Sequence, residues 1–425
     1  MSKLAINGGT PVRKDPLPVY RTIGEEEKRA VMEVMDSGNL SEFLGTWSPK
    51  FFGGPKVQAF EAAWAKHFGV KHTVSVNSNT SGLNAAVGAA GVGPGDEVIV
   101  SPYSMSASAA CAIVNNAVPV FADIDEETFN ISAKTIAPLI TARTKAIVVV
   151  DIFGHPADFV PIMELAKKHN LIVIEDAAQA PGATYQNRFA GTLAHIGVFS
   201  LNYHKTIHTG EGGVVVTNDA ALAERIQLIR NHAEVVVQGK GVENIVNMVG
   251  QNYRMTEIEA AIGIEQLKKL PALMAKRQKN AEYLTKHLKD IPGLISPSVR
   301  EDSTHGFYVY PMRYIRKENA PMRQALAAAI RAEGIPVGEG YVEPIYLQPL
   351  YQRRIALGDK GAPFTKPYYD GEVKYDRGIC PVTERMHFEE VLIGDYCHAN
   401  LEEKDMDDIC AAYKKVFSQL ETLKA

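Results

Sequence analysis

Leu171-Ile172-Val173-Ile174-Glu175-Asp176-Ala177-Ala178-Gln179-Ala180 is the stretch from which the fold can be read. Its first residues form a short, β-branched apolar run, as in a strand buried on both faces. In an open α/β sheet, ligands bind beyond the carboxyl ends of the strands. Asp176 therefore stands where a ligand would be met, although a helix cap is an equally ordinary use of an aspartate there.

Six more runs of the same kind lie around it, at 73–76, 97–100, 119–123, 146–151, 197–201 and 213–217. Most are separated by helical patterns, such as 161–169 with Ile162, Leu165 and Ala166 on one face. This alternation predicts an α/β fold, a mainly parallel seven-stranded sheet with helices on both sides. Between 197–201 and 213–217 no helix pattern intervenes, so that pair is expected to be antiparallel. Upstream, Thr22-x-x-Glu25 has the form of a capping box opening a helix through Asp36. Val57, Phe60, Trp64 and Phe68 mark the core face of a second helix. Helical patterns at 258–267 and 273–288 end at Pro292-Gly293, and a different texture follows: strand-like 307–314, helix-like 322–333 and 405–423, and a Tyr/Pro-rich segment at 363–375. We expect a large domain over 1–275, with an N-terminal segment 1–24, and a smaller α+β domain over 276–425.

Composition narrows the function. The 425 residues carry a net charge of −4 and 46% hydrophobic side chains, with no basic block to neutralise a row of phosphates. Nucleic acid is not an expected partner. No apolar run reaches the ~18 residues of a membrane span, and the first twenty residues lack a signal-peptide core. Cys111, Cys380, Cys397 and Cys410 have no metal-ligand spacing and read as reduced thiols of a cytoplasmic protein. The histidines likewise form no ligand cluster, so no metal is expected.

The chemistry gathers at the strand ends. Lys205 lies in the connector Asn202-Tyr203-His204-Lys205, close to Thr209-Gly210-Glu211-Gly212-Gly213. A connector lysine is ordinarily a solvated charge. Just past a sheet edge, with polar rather than charged neighbours, it can instead be partly neutral and nucleophilic. A Schiff-base lysine and a carboxylate for a heterocyclic nitrogen are the two groups that pyridoxal phosphate chemistry requires. Asn77-Ser78-Asn79-Thr80-Ser81-Gly82, leading into an Ala-rich helix, offers free N–H groups to a phosphate, or merely a good cap.

Together these residues resemble the DegT/StrS group of sugar aminotransferases, pyridoxal-phosphate enzymes of the aspartate aminotransferase fold (type I). The carriers are Gly93-Pro-Gly-Asp-Glu-Val, Pro119-Val-Phe-Ala-Asp, Glu175-Asp-Ala-Ala-Gln-Ala, Phe199-Ser, Lys205 with Thr209-Gly-Glu-Gly-Gly, and Asn252-Tyr-Arg-Met-Thr-Glu. The resemblance implies that Lys205 binds the cofactor aldehyde, Asp176 keeps its ring nitrogen protonated and Gln179 meets its ring hydroxyl. Thr80, the Ser81 backbone and Ser200 match phosphate contacts, and Asn252 matches one that reaches the site from the other subunit of a homodimer. The family's stacking aromatic is replaced here by Met105, whose thioether can pack on a ring; Tyr103 is a nearby substitute. Asp151 stands where relatives often carry histidine.

The implied reaction is a ping-pong transfer of an amino group from L-glutamate or L-glutamine to a keto sugar, whether nucleotide-linked, a keto-sugar acid or a cyclitol. Such a reaction serves amino-sugar biosynthesis for cell-surface polysaccharide or antibiotic. Trp47 and Tyr346 are candidates to line the acceptor pocket, with core packing as the alternative. One rival is a sugar dehydratase, in which histidine replaces the lysine. The other is a non-catalytic cofactor-binding regulator, against which the intact Lys205, Asp176, Gln179 and Ser200 set argues.

Overall fold

The computed structural model describes residues 2–423. Thirteen strands form three sheets. In chain order they are β1 His72–Val76, β2 Glu97–Val100, β3 Val118–Phe121, β4 Thr144–Val150, β5 Ile172–Asp176, β6 Thr184–Tyr185, β7 Arg188–Phe189, β8 Ile196–Ser200, β9 Gly213–Thr217, β10 Leu294–Ile295, β11 Tyr310–Tyr314, β12 Gly338–Glu339 and β13 Val391–Gly394. The large sheet has the order β1-β9-β8-β5-β4-β2-β3. The four pairings from β8 across to β3 are parallel, and β9 runs antiparallel to both its neighbours, as the short connector predicts.

Helices cover both faces. The helix Asn79–Ala89 packs against β8 and β9, with Leu83, Ala86 and Val87 fully buried. Trp64 and Phe68 of the helix Pro55–Phe68 pack against Phe199, and Phe60 packs on Trp64, giving the core role read from their spacing. The first expected cap is displaced. The helix Glu25–Ser37 starts after Gly24, whose N–H donates to Glu27 Oε2 at 2.7 Å, while the Thr22 hydroxyl donates to Gln266 Oε1 at 2.7 Å. Thr22 bonds across to another helix and so cannot close its own.

A second, antiparallel sheet, β10-β11-β13-β12, carries its own core of Tyr310, Met312, Leu326, Ile330, Ile409 and Tyr413. The helix Glu257–Leu288 joins the two regions. Leu267, Leu270 and Met274 lie in the large sheet's core, and Ala281, Leu284 and Leu288 in the small one. Residues 345–380, on the smaller side of the expected division, pack against the large sheet instead. Tyr369 donates its hydroxyl to Glu97 Oε1 at 2.6 Å and Tyr375 donates to the Pro119 carbonyl at 2.8 Å, at the amino-terminal ends of β2 and β3. The Tyr/Pro-rich segment is thus anchored at the sheet edge opposite the strand ends where a lid would act.

Candidate active site

β5 ends on Asp176, β8 ends on Ser200, and the connector from β8 to β9 brings Lys205 back across them. Around these ends is a cleft of about 220 Å³ lined by Thr80, Met105, Asp176, Gln179, Ser200 and Lys205, with Asn79, Asn202, His204 and Tyr341.

Lys205 is 8% exposed and its Nζ stands 4.5 Å from the centre of the Tyr308 ring. Burial pushes its pKa down to about 8, against the opposing pull of Asp176. An appreciable fraction is therefore neutral near physiological pH. Capture of pyridoxal phosphate by the apoprotein should accelerate as pH rises through about 8, rather than through the ordinary lysine range. The rise in imine absorbance, followed by stopped flow across pH, checks this.

Asp176 is held from three sides. The Ser108 hydroxyl donates to Oδ2 at 2.8 Å, and Asn79 Nδ2 and the Ala178 N–H each donate to Oδ1 at 3.2 Å. Burial nevertheless raises its pKa, the hydrogen bonds and Lys205 opposing. A buried carboxylate of this kind calls for a cation, and a protonated ring nitrogen supplies one. Gln179 Oε1 accepts the Phe153 N–H at 2.7 Å, and its Nε2 donates to the Tyr341 hydroxyl at 3.0 Å, leaving a second amide hydrogen.

The helix Asn79–Ala89 opens on the cleft. Ser78 caps it by accepting the Ser81 N–H at 3.1 Å, which leaves the first-turn N–H groups of Asn79 and Thr80 beside the cleft. Ser81 itself is buried, its hydroxyl donating to Asn77 Oδ1 at 2.6 Å, so the anion-facing place falls to Asn79 and Thr80. The buried Asn202 Oδ1 has no partner among the described residues. A lysine, an acidic partner for a ring nitrogen, an amide and a helix start for an anion fit pyridoxal phosphate.

Other expected residues lie elsewhere. Tyr346 is a correction: it is fully buried against Phe121, with its hydroxyl donating to Glu384, because its segment folds onto the large sheet. Tyr103 is also fully buried, packed on Phe153 and Tyr341, and is not part of the cleft lining, whereas Met105 is. Trp47 packs on Phe51 and Phe52, and Asn252 bridges to Asn231, both outside this chain's cleft. Ser108, Tyr308 and Tyr341 were not anticipated, nor was the bond from Asn79 to Asp176. Only Ser108 had a local signal, as a polar residue inside an apolar helical run.

Asp151 has an identifiable partner. It is fully buried beside Glu175, whose oxygens accept the N–H groups of Gly191, Leu193 and Ala194, while Asp151 Oδ1 accepts only that of Ala157. Burial, then the neighbouring Glu175 charge, raises the Asp151 pKa well above normal, which favours its protonated form beside the better hydrogen-bonded Glu175. A carboxyl whose folded pKa is raised stabilises the fold fully below its unfolded pKa, and that contribution is lost as pH rises toward the folded one. Asp151→Asn keeps the donor and removes the titration. It should raise Tm at pH 8 and change it little at pH 4, read from thermal unfolding at both.

This arrangement has known counterparts. The DegT/DnrJ/EryC1/StrS aminotransferase family model matches residues 21–363. The chain belongs to that family. The aminotransferase is 36% identical over 427 residues to the L-glutamine:2-deoxy-scyllo-inosose aminotransferase of Streptomyces lividus, covering 97% of both chains. It is 37% identical over 332 residues to the GDP-perosamine synthase of Caulobacter vibrioides, covering 76% of this chain and 84% of that one. Among solved structures, the aminotransferase from Psychrobacter cryohalolentis superimposes with a TM-score of 0.82 at 30% identity, over 96% of this chain and all of the other. Enzymes of this family depend on pyridoxal phosphate.

Proposed function

We propose that this aminotransferase moves the amino group of L-glutamate or L-glutamine to a keto sugar or keto cyclitol, as a cytoplasmic homodimer with shared active sites. The observation that carries the reading is a buried, partly neutral Lys205 in one cleft with Asp176. When bound, pyridoxal phosphate supplies an electron sink for the carbon that loses a proton. Lys205 would hold the cofactor through its amine, and its neutral form would carry the proton from the donor Cα. Asp176 holds the ring nitrogen protonated, Gln179 orients the ring, and the helix start at Asn79 and Thr80 takes the phosphate. The relatives support the acceptor class: one is named for a cyclitol ketone and another for a GDP-linked amino sugar.

Shared sites are supported by one surface. Asn231 Nδ2 donates to the carbonyls of Leu44 and Phe51, and Asn231 bridges Asn252, so the Trp47 stretch and Asn252 lie side by side. Exposed Val235, Ile245, Val246 and Val249 give the same part of the chain an apolar surface of the kind that a partner copy covers. The free, buried cysteines agree with a reducing compartment, and no helix among the described residues is long and apolar enough to cross a membrane.

A panel of nucleotide-linked 3-keto and 4-keto sugars, scyllo-inosose and a keto-octulosonate, assayed with each donor, tests the proposal. Conversion of the cofactor spectrum by glutamate or glutamine, followed by amination of a panel ketone, is the expected result. A donor that leaves the spectrum unchanged would overturn it.

A further inference from the structure

Next to the Lys205 cleft lies a larger groove of about 900 Å³, walled by residues 16–20, by Ile335–Gly338 and by Ile393, Asp395 and His398. Among the described residues, His204 alone lines both spaces. It precedes the lysine in sequence, its ring lies 6.1 Å from that of Tyr308, and the Tyr308 ring centre is in turn 4.5 Å from Lys205 Nζ. No hydrogen bond engages the His204 side chain among the described residues, and its ring is exposed.

We infer that His204 is a positioning residue for the keto acceptor, binding the hydroxyl next to the carbonyl as the acceptor passes from the groove to the Lys205 cleft. This rests on the acceptor reading above. The chemistry suits the place. Partial desolvation of the ring, then the positive charge of Lys205, lowers the imidazole pKa, which favours the neutral form. A neutral imidazole offers one donor and one acceptor nitrogen, which matches a hydroxyl and does not match a phosphate. Most of the remaining groove surface is apolar, from Pro16, Leu17, Pro18, Ile335, Pro336 and Ile393, and seats a ring face; the polar Tyr20, Arg331, Asp395 and His398 do not line the Lys205 cleft, and Arg331 is already bound to Glu339. Orientation of the ketone over Lys205 then falls to the side chain at the junction.

The two half-reactions separate this from a supporting role for Lys205. His204→Phe keeps a flat ring and removes the hydrogen bond. With the panel ketone that wild type aminates, the acceptor half-reaction should lose about ten- to hundredfold in kcat/KM. The donor half-reaction, followed by cofactor absorbance, should change less than about threefold. His204→Gln should recover part of the loss, and an analogue lacking the hydroxyl beside the carbonyl should show almost no difference between wild type and His204→Phe. Calorimetric binding of the same ketone to Lys205→Ala protein, with and without His204→Phe, should weaken by a similar factor. Equal losses in both halves, no loss in either, or an undiminished effect with the analogue would each overturn the inference. So would failure of every panel ketone in a wild type whose donor half-reaction proceeds. A wild type with no donor half-reaction would instead sink the aminotransfer reading itself.

Discussion

Replacing Lys205 by alanine or by arginine should abolish turnover, a loss of at least about 10⁴-fold, because in the proposed reaction one side chain serves as both nucleophile and proton carrier. Arginine keeps the positive charge but cannot give up its proton in a protein, so it restores neither role. The variant should fold. Lys205 is buried with its charged form penalised, and alanine removes that penalty, so Tm should stay level or rise. Steady-state rates with a turned-over ketone measure the loss, and borohydride trapping with peptide mapping should label residue 205 in wild type alone. Near-wild-type activity in either variant would show that another group does the chemistry.

Asp176→Ala should be the next most damaging change, costing about 3–5 kcal/mol of transition-state stabilisation, on the order of a thousandfold in rate. Its carboxylate is fixed by Ser108, Asn79 and the Ala178 N–H, so removal leaves a buried cation facing three donors and no acceptor. The deficit should fall on donor and acceptor half-reactions alike, because both need the same protonated ring. That sets it apart from His204→Phe, whose effect is confined to one half. A change of less than about tenfold would mean that the ring nitrogen is served by some other group.

The sheet could be read from the sequence because strands buried on both faces tend to be short, β-branched and bounded by breakers; all seven runs are short and so bounded, and most are β-branched. The antiparallel pair followed from chain length alone: the connector carrying Lys205 has no room for a crossover helix. Lys205, Asp176 and the helix start at 77–82 were accessible for the same reason, since each lies at a strand end or just beyond one, whereas Gln179 and Ser200 came from the family resemblance. What the sequence hid was decided by tertiary path. Tyr346 and the segment with Tyr369 and Tyr375 have no periodicity, and their burial depends on Glu97 and the Pro119 carbonyl, more than two hundred residues away. Ser108, Asn79 and Tyr341 reach Asp176 or Gln179 from separate elements, and no local pattern tells which distant side chain each will meet. Thr22 shows the opposite failure, a good local cap signal spent on a distant glutamine.

The division of labour around Lys205 bears on redesign. The reactive amine rides on a connector tied at both ends into adjoining central strands, whereas Tyr308 and Tyr341 above it come from segments flanking the second sheet. Swapping those upper segments, or the residue at 204, would let a laboratory retune which ketone is accepted while the machinery that handles nitrogen stays as it is. Insertions within 201–212 would instead shift the amine away from its carboxylate, and library diversity spent there would be wasted.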